Sequence, residues 1–489
     1  MNPDLALADL LDQLDAARVL CVGDVMLDRF VYGRVDRISP EAPIPILRIE
    51  QEQSMLGGAG NVVRNLASLG AQALFVSVVG ADAAGHDVMR LVGEHERLEP
   101  HLLVDRKRPT TIKTRYVADG HQLLRADVES SVPLDGTAAA DLARLVEEAV
   151  GECAVVILSD YAKGVLAEDT ARAAIAAARA AGRPVIVDPK GVDWSRYAGA
   201  TVLTPNRGEL ALASRMVVDD VPAIEAAARK VIGALGLEAL LCTRGKDGMV
   251  LVRPSGDSLA LPALAREVFD VSGAGDTVIA AFAAAMAVGA SMERAALLAN
   301  IAAGIVVGKV GTAVVHPDEI RRGLVHEANV ASEAKILSAP QALEQIQRWR
   351  RLGLKVGFTN GVFDLLHPGH VTLLHKARAA CDRLIVGMNS DASVKRLKGK
   401  DRPLQDEASR ATVLASLASV DGVVIFAEDT PLALIELLRP DLLVKGADYT
   451  LDKVVGAAQV ASWGGRVVLV DLEQGHSTTR LVGKAAKTG

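Results

Sequence analysis

Aromatic side chains are scarce in this chain: 489 residues contain seven Phe, five Tyr and three Trp. Half of the residues are nevertheless apolar, and the bulk comes from Ala, Val, Leu and Gly, which suits layered α/β packing better than a β-sandwich. Cysteine is scarcer still. Cys21, Cys153, Cys242 and Cys381 lie far apart with no CxxC pair, which excludes a disulfide framework and a thiolate zinc site and fits a reducing compartment. Positive charge is not in excess either. The net charge of −6 argues against a sequence-independent nucleic-acid partner, which needs a basic face. The longest apolar run, Val278 to Ala290, stops before Glu293 and Arg294 and is too short to span a bilayer. Met1 to Arg18 carries Asp4, Asp9, Asp12 and Asp15 among apolar residues at helical spacing. It reads as an amphipathic helix without the cationic start of a signal peptide. A cytoplasmic protein with no membrane and no nucleic-acid partner is expected.

The length allows two or three domains, each with its own core. The most informative stretch is Phe269-Asp-Val-Ser-Gly-Ala-Gly-Asp-Thr277, a strand end and small-residue turn opening into an apolar helix that runs to about Ala290. Gly273 and Gly275 permit tight backbone angles and close approach of a ligand. The free N–H groups at the helix start favour an anion. Asp276 sits among those groups, is expected to be ionised at neutral pH, and is placed to take a proton from a hydroxyl that attacks a phosphoryl group. A carboxylate that only stabilises the helix is the plainer alternative, but its setting between a strand and a buried helix favours catalysis. Asp270 to Asp276 resembles the second signature of the ribokinase-like (PfkB) sugar kinases, usually Asp-Thr-x-Gly-Ala-Gly-Asp, with Val271 in place of the Thr. The resemblance implies that Asp276 is the catalytic base and that the amides of Gly273, Ala274 and Gly275 hold the phosphoryl group in flight.

Arg18 to Asp24 has a buried-strand pattern ending in Gly-Asp, with Asp28 close behind. Carboxylates beyond a strand's carboxyl end can accept hydrogen bonds from sugar hydroxyls, although Gly-Asp is also ordinary turn chemistry. Leu56 to Asn65 again places glycines before a helix and resembles the first ribokinase-like signature, which implies sugar contacts by Asp24, Gly57, Gly58 and Asn61. Tyr32 to Glu50, with Pro40, Pro43 and Pro45, reads as edge strands. With Thr110 to Asp127 it would form the family's small β lid, which closes over substrate and often pairs two subunits; a homodimer through the kinase domain is expected on that ground. Val155 to Gly164, Pro184 to Lys190 and Val202 to Glu209 are strands ending in polar groups, as an open parallel sheet requires at its ligand edge. Asn206 and Glu209 match the family's Asn-x-x-Glu element, which orders the water shell of a magnesium–phosphate complex; a helix cap with Glu three residues on is the structural alternative. Thr243 and Gly245 would carry phosphate and ribose contacts, and Asn300 would fall in the helix that walls the adenine pocket. The resemblance covers Leu14 to Arg322.

Helical periodicity fades after Gly323, which sets a domain boundary near residue 330 and divides the chain into 1–330 and 331–489. Ser338-Ala-Pro340 offers a helix start, and Gln341 to Leu352 reads as an amphipathic helix. A strand then ends at Thr359-Asn360-Gly361, and His367 and His370 follow where a helix begins. At that spacing two imidazoles can face the same way and donate hydrogen bonds to α-phosphate oxygens that gain charge under attack. Zinc is the rival, but no carboxylate or thiolate has companion spacing. His-Pro-Gly-His after Thr-Asn-Gly-Val-Phe-Asp364 resembles the cytidylyltransferase-like nucleotidyltransferases over Lys355 to Val482. This implies a Rossmann-like α/β domain, nucleotide contacts by Thr359, Asn360, Gly361 and Lys445, and a substrate contact by Asp364. Ser477, Thr478 and Thr479 match the family's closing hydroxyl motif, which holds the β,γ-phosphates. Hydroxyls at a helix start are equally good caps. Arg383 to Asn389, Gly422 to Phe426 and Arg466 to Leu472 read as further strands. Lys395, Lys398, Lys400 and Arg402 form a basic segment that could close on triphosphate or remain a solvated loop.

A sugar kinase followed by a nucleotidyltransferase resembles the family of bifunctional heptose 7-phosphate kinases/heptose 1-phosphate adenylyltransferases of Gram-negative bacteria. That resemblance implies phosphorylation of D-glycero-β-D-manno-heptose 7-phosphate at O1, then adenylyl transfer to heptose 1-phosphate for the lipopolysaccharide core, with ATP as co-substrate of both domains and Mg2+ as cofactor. Residue chemistry alone specifies neither a seven-carbon sugar nor ATP over CTP. The same chemistries on another sugar or polyol phosphate with CTP remain open. A catalytically dead sensor or scaffold is disfavoured by the intact Asp276, His367 and His370.

Overall fold

The computed structural model describes residues 3–264, 270–309, 311–324, 335–446, 450 and 453–470. The chain forms two compact units, Met1–Leu324 and Val325–Gly489. The boundary expected near residue 330 falls in 325–334, outside the described residues.

The strands of the first unit are β1 (Arg18–Gly23), β2 (Val25–Ile38), β3 (Pro45–Gly58), β4 (Gln72–Gly80), β5 (Leu98–Asp105), β6 (Thr111–Ala118) and β7 (His121–Val128). They continue as β8 (Val155–Ser159), β9 (Val185–Asp188), β10 (Val202–Leu203), β11 (Ala239–Thr243), β12 (Met249–Val252) and β13 (Ser258–Leu261). Nine of them build one sheet in the order β13-β12-β11-β10-β9-β8-β1-β4-β5, parallel except for the two pairings of β12. Its strands are apolar on both faces, as a sheet covered on both sides must be. In β1, Val19 and Cys21 enter one core while Leu20 and Val22 enter the other. The chain leaves β1 first towards β4 and β5, then returns to its other side at β8. This reversal at β1 opens a crevice beyond the carboxyl ends of the strands.

β2, β3, β6 and β7 leave this sheet and form a separate four-stranded one, ordered β3-β2-β6-β7. This is the expected lid, with β7 exposed along its length. The helix Ala274–Ala287 is buried at every position from Asp276 to Ala285. That is why it is apolar on all sides rather than along one stripe.

The second unit is a parallel sheet in the order β14-β17-β16-β15-β18-β19, formed by β14 (Ile336–Leu337), β15 (Val356–Gly361), β16 (Arg383–Asn389), β17 (Gly422–Phe426), β18 (Leu442–Gly446) and β19 (Arg466–Val470). Both faces are again apolar, with Val386 in one core and Ile385 in the other. The strand order reverses at β15, which lies between β16 and β18. No helix among the described residues is long and apolar enough to cross a membrane.

Candidate active sites

In the first unit a cleft of about 260 Å³ lies between the carboxyl ends of the main sheet and the lid; Asp276, Gly273, Asp188 and Thr243 line it from the sheet side, and Lys113 and Arg115 from the lid. Asp276 stands at the start of the helix Ala274–Ala287, behind Gly273 as N-cap at φ +79°. A Cβ on Gly273 would stand 2.8 Å from the Asn61 amide, so the turn needs glycine for its backbone angle and for its space. Val271, the departure from the usual signature, is 65% exposed and leaves the turn intact. The strand expected just before the turn falls on 265–269, outside the described residues.

Asp276 is 8% exposed, and both of its oxygens are held. The Asn61 amide donates to Oδ2 at 2.7 Å and the Tyr161 hydroxyl donates to Oδ1. Burial pushes the carboxyl up to about 6, opposed by these two hydrogen bonds. Asp276 is therefore ionised at pH 7, but with less margin than a helix start alone would confer. Tyr161 is itself pushed far above the ordinary phenol range by burial and by Asp276, so it remains a donor. The helix Ala59–Ser68 presents Asn61 and Asn65 on one face, and Asn65 accepts from the Thr277 hydroxyl at 2.9 Å. Two consecutive residues of the buried helix are thus pinned by two asparagines one turn apart.

The residues expected on the sugar side take two kinds of position, internal and cleft-lining. Asp24 is 1% exposed, and its carboxylate accepts from the N–H groups of Tyr161, Lys163 and Val165 at 2.9, 3.1 and 3.0 Å. It organises the loop that carries Tyr161. Asn61 is fully buried and donates to Asp276. Asp28 and Gly58 do line the cleft, and Asp28 pairs with Arg115 of the lid at 2.6 Å. Gly57 packs on Asp28, whose Oδ2 lies 2.2 Å from the place a Cβ would take.

Asn206 and Glu209 form a complete capping box, each side chain bonded to the other's backbone N–H at 2.9 Å. Glu209 also meets Lys190 at 2.6 Å. The structural alternative is therefore realised, while both residues still line the cleft. Nearby, Asp188 is pushed well above the ordinary carboxylate range, first by burial and then by Asp276 and Glu209. No group of three or more ligating side chains with metal geometry exists among the described residues. The donor set suits a hydrated hard cation, which needs only one or two carboxylates. Thr243 bridges to Asn206 at the sheet edge. Gly245 begins a short 3₁₀ turn at φ +59° and is not among the lining residues. Asn300 is buried and donates to the Pro262 carbonyl at 2.8 Å, which makes it a tie between helix and loop.

In the second unit His367 is the N-cap of the helix Pro368–Ala379, and its ring stacks on His370 at 3.8 Å between centroids. Pro368 at the first helical position is preset for the turn. Phe363, at φ +48°, lies 5.1 Å from the His370 ring. Burial and the neighbouring His367 push His370 down to about 4, so His370 is neutral at pH 7. Thr359 and Asn360 close β15, where the strand order reverses. The Thr359 hydroxyl is buried without a hydrogen-bond partner among the described residues, and Lys445 from β18 donates to Asn360 Oδ1 at 2.6 Å. Gly361 gives way to the Phe363 ring, 3.0 Å from its would-be Cβ.

Asp364, at 2% exposure, pairs with Arg402 and accepts from the N–H of Leu404 at 2.7 Å. It therefore ties down the loop after the basic helix. The basic segment is accordingly part of the helix Asp391–Lys398 and this tied loop. Sequence reading missed Arg410. It is buried and donates to Val362 and Gln405 carbonyls at 2.6 and 3.0 Å and to Asp391 at 2.6 Å. Ser477, Thr478 and Thr479 lie outside the described residues.

Residues 16–319 match the pfkB family carbohydrate kinases, and residues 358–481 match the cytidylyltransferase-like family. The chain is 60% identical over 98% of both sequences to the bifunctional protein HldE of Paramagnetospirillum magneticum. It is 58% identical to that of Acidiphilium cryptum over 96% of each. Among solved structures, phosphofructokinase-2 from Escherichia coli superposes on 63% of this chain and 99% of its own, at TM-score 0.55 and 20% identity, which speaks for the fold. With both family matches in this order and such identity over nearly its whole length, the chain belongs to the pfkB carbohydrate kinases and, as a whole, to the family of bifunctional HldE proteins.

Proposed function

We infer that this protein is a bifunctional enzyme of ADP-heptose synthesis. The first unit transfers phosphate from ATP to O1 of D-glycero-β-D-manno-heptose 7-phosphate. The second joins heptose 1-phosphate to the adenylyl group of ATP with release of pyrophosphate, in supply of the lipopolysaccharide core. The single observation that carries the kinase half is Asp276: a buried carboxylate at a glycine-opened helix start, with each oxygen held by one neutral donor. A base near 6 is ionised at cytoplasmic pH yet basic enough to accept a proton from the attacking hydroxyl. In the reaction O1 of the sugar approaches Oδ1, the Tyr161 hydroxyl yields or shares that oxygen, and the proton passes to Asp276. The N–H groups of Gly273 and Gly275 would meet the charge that builds on the transferred phosphoryl group, while that of Ala274 donates to the Val271 carbonyl at 3.3 Å.

Asp188 and Glu209 would hold magnesium largely through water, with the Asn206 cap fixing the strand end beside them. When bound, the ion neutralises charge on the phosphates. In the second unit the paired imidazoles of His367 and His370 donate to the α-phosphate as it is attacked, and Lys445 and Asn360 fix the end of β15 beside it. The reading extends to a cytoplasmic homodimer paired through the lid, whose edge strand β7 is exposed along its length and open to pairing.

Product analysis tests this reading. Heptose 7-phosphate with ATP should yield the 1,7-bisphosphate, and heptose 1-phosphate with ATP should yield ADP-heptose and pyrophosphate. Preference for CTP, or absence of the bisphosphate, would refute it.

A further inference from the structure

The lid carries an unbalanced charge. In register, Asp28, Lys113 and Asp127 form one row across β2, β6 and β7, and Phe30, Arg115 and Arg125 form the row two residues on. Rows two residues apart lie on the same face of a sheet, and Asp28, Lys113 and Arg115 line the cleft, so this is the face that meets the ligand. Three of its cations are matched. Arg115 pairs with Asp28 at 2.6 Å, Arg125 with Asp127 at 3.0 Å, and Lys163, from the Tyr161 loop, with Glu129 at 2.8 Å. Arg115 also lies over the Phe30 ring at 5.1 Å.

Lys113 has no carboxylate within 4.0 Å among the described residues, because the two that flank it in register are each bonded to an arginine. Its ammonium is pushed below the ordinary lysine range by burial, with the Asp28 and Asp127 carboxylates opposing the shift and Lys163 and Arg125 adding to it. A partly buried cation whose neighbouring carboxylates are each bonded to an arginine is better satisfied when an anion arrives with the ligand. The nucleotide-side residues Asn206, Glu209 and Thr243 come from the main sheet, whereas Lys113 comes from the lid beside Asp28.

We propose that Lys113 anchors a phosphate monoester carried by the sugar at the end away from its reacting hydroxyl, with Lys163 and Arg125 adding to the field. Lys113 is thereby the residue that selects phosphorylated over unphosphorylated sugars. The proposal rests on the kinase reading of this cleft. It assigns the cation that reads the 7-phosphate, whereas Asp276 reads the hydroxyl.

The test is steady-state kinase kinetics of the full chain and its Lys113→Met variant, with heptose 7-phosphate and, as probe, the same heptose without phosphate. Loss of a charge-assisted contact should raise KM for heptose 7-phosphate about 10- to 100-fold. kcat and the KM for ATP should stay near the parent values. At pH 8.5, where Asp276 is ionised with or without the Lys113 charge, the unphosphorylated sugar should lose far less than heptose 7-phosphate, and Lys113→Arg should recover most of the loss. If Lys113→Met does not fold, Lys113→Gln provides the same comparison. Equal damage with both sugars, or a raised KM for ATP alone, would overturn the assignment. Failure of the parent chain to phosphorylate either sugar would instead sink the kinase reading, and the anchor with it.

Discussion

The hydrogen bond from Tyr161 to Asp276 makes a quantitative claim about the pH dependence of the kinase. Burial raises Asp276 to about 6, against the opposing pull of the Tyr161 and Asn61 donors. The base works only when ionised, so kcat/KM should fall below that pH by about tenfold per unit. Replacing Tyr161 by Phe leaves the ring and removes the donor. A hydrogen bond to a charged group contributes about 1.5–3 kcal/mol, and about 1.4 kcal/mol corresponds to one pH unit. The acid limb should therefore move up by about one to two pH units. At pH 7 the ionised fraction drops from about nine-tenths to between about a half and a tenth. The expected loss at pH 7 is about two- to tenfold, and it should disappear by pH 9.

The assay is ADP release from saturating ATP across pH 5 to 9.5, with kcat/KM for the sugar phosphate taken at each point. A phosphate monoester also titrates with a second pKa near 6, so the parent limb by itself does not identify its owner. The substrate's ionisation does not move with a mutation of the enzyme, whereas that of Asp276 does. A limb that stays in place in Tyr161→Phe, or a loss of equal size at every pH, would refute the argument.

Asp276→Asn should lower kinase turnover by about 10²- to 10⁴-fold while adenylyl transfer continues. The same variant should be more stable than the parent at pH 7.5. A carboxyl raised from 3.8 to about 6 by burial favours the folded state only while protonated, and that contribution is lost as pH rises through about 6. The difference in unfolding free energy should approach about 3 kcal/mol at pH 7.5 and vanish towards pH 4, as read by denaturant melts. His370→Ala should have the converse effect on activity, lowering adenylyl transfer by about 10²- to 10³-fold with the kinase unchanged in coupled assays of each half. Arg410→Ala removes a buried guanidinium from two carbonyls and Asp391 and should destabilise the second unit by about 3–5 kcal/mol. Adenylyl transfer should then be lost on heating well before kinase activity, and simultaneous loss would count against an independent second unit.

The chain's local chemistry was legible from its residues alone. Unbroken Val/Ile/Leu strands, covered on both faces, announced two parallel sheets. Glycines before an apolar helix announced the anion-facing turn of Asp276, and His-x-x-His after a strand end announced the stacked pair of His367 and His370. All of these depend on neighbours within a few positions, where periodicity and turn chemistry act. Which partner each polar group would find was another matter. Asn61 lies 215 residues from the carboxylate it holds, and Tyr161 lies 115. Asp24, Asn61 and Asp364 had the composition of ligand contacts and became internal ties, because a buried carboxylate or amide must be satisfied by whichever donors or acceptors strand order brings beside it. Lys113 could not be picked out among 54 Lys and Arg until the lid register gave Asp28 and Asp127 to two arginines and left it with no bonded carboxylate among the described residues. Hydrophobic pattern and turn residues thus determined what kinds of site this protein has. Only the reversal of strand order at β1 and at β15 decided which side chains occupy them, since desolvation and pairing are set by distance in space and not along the chain.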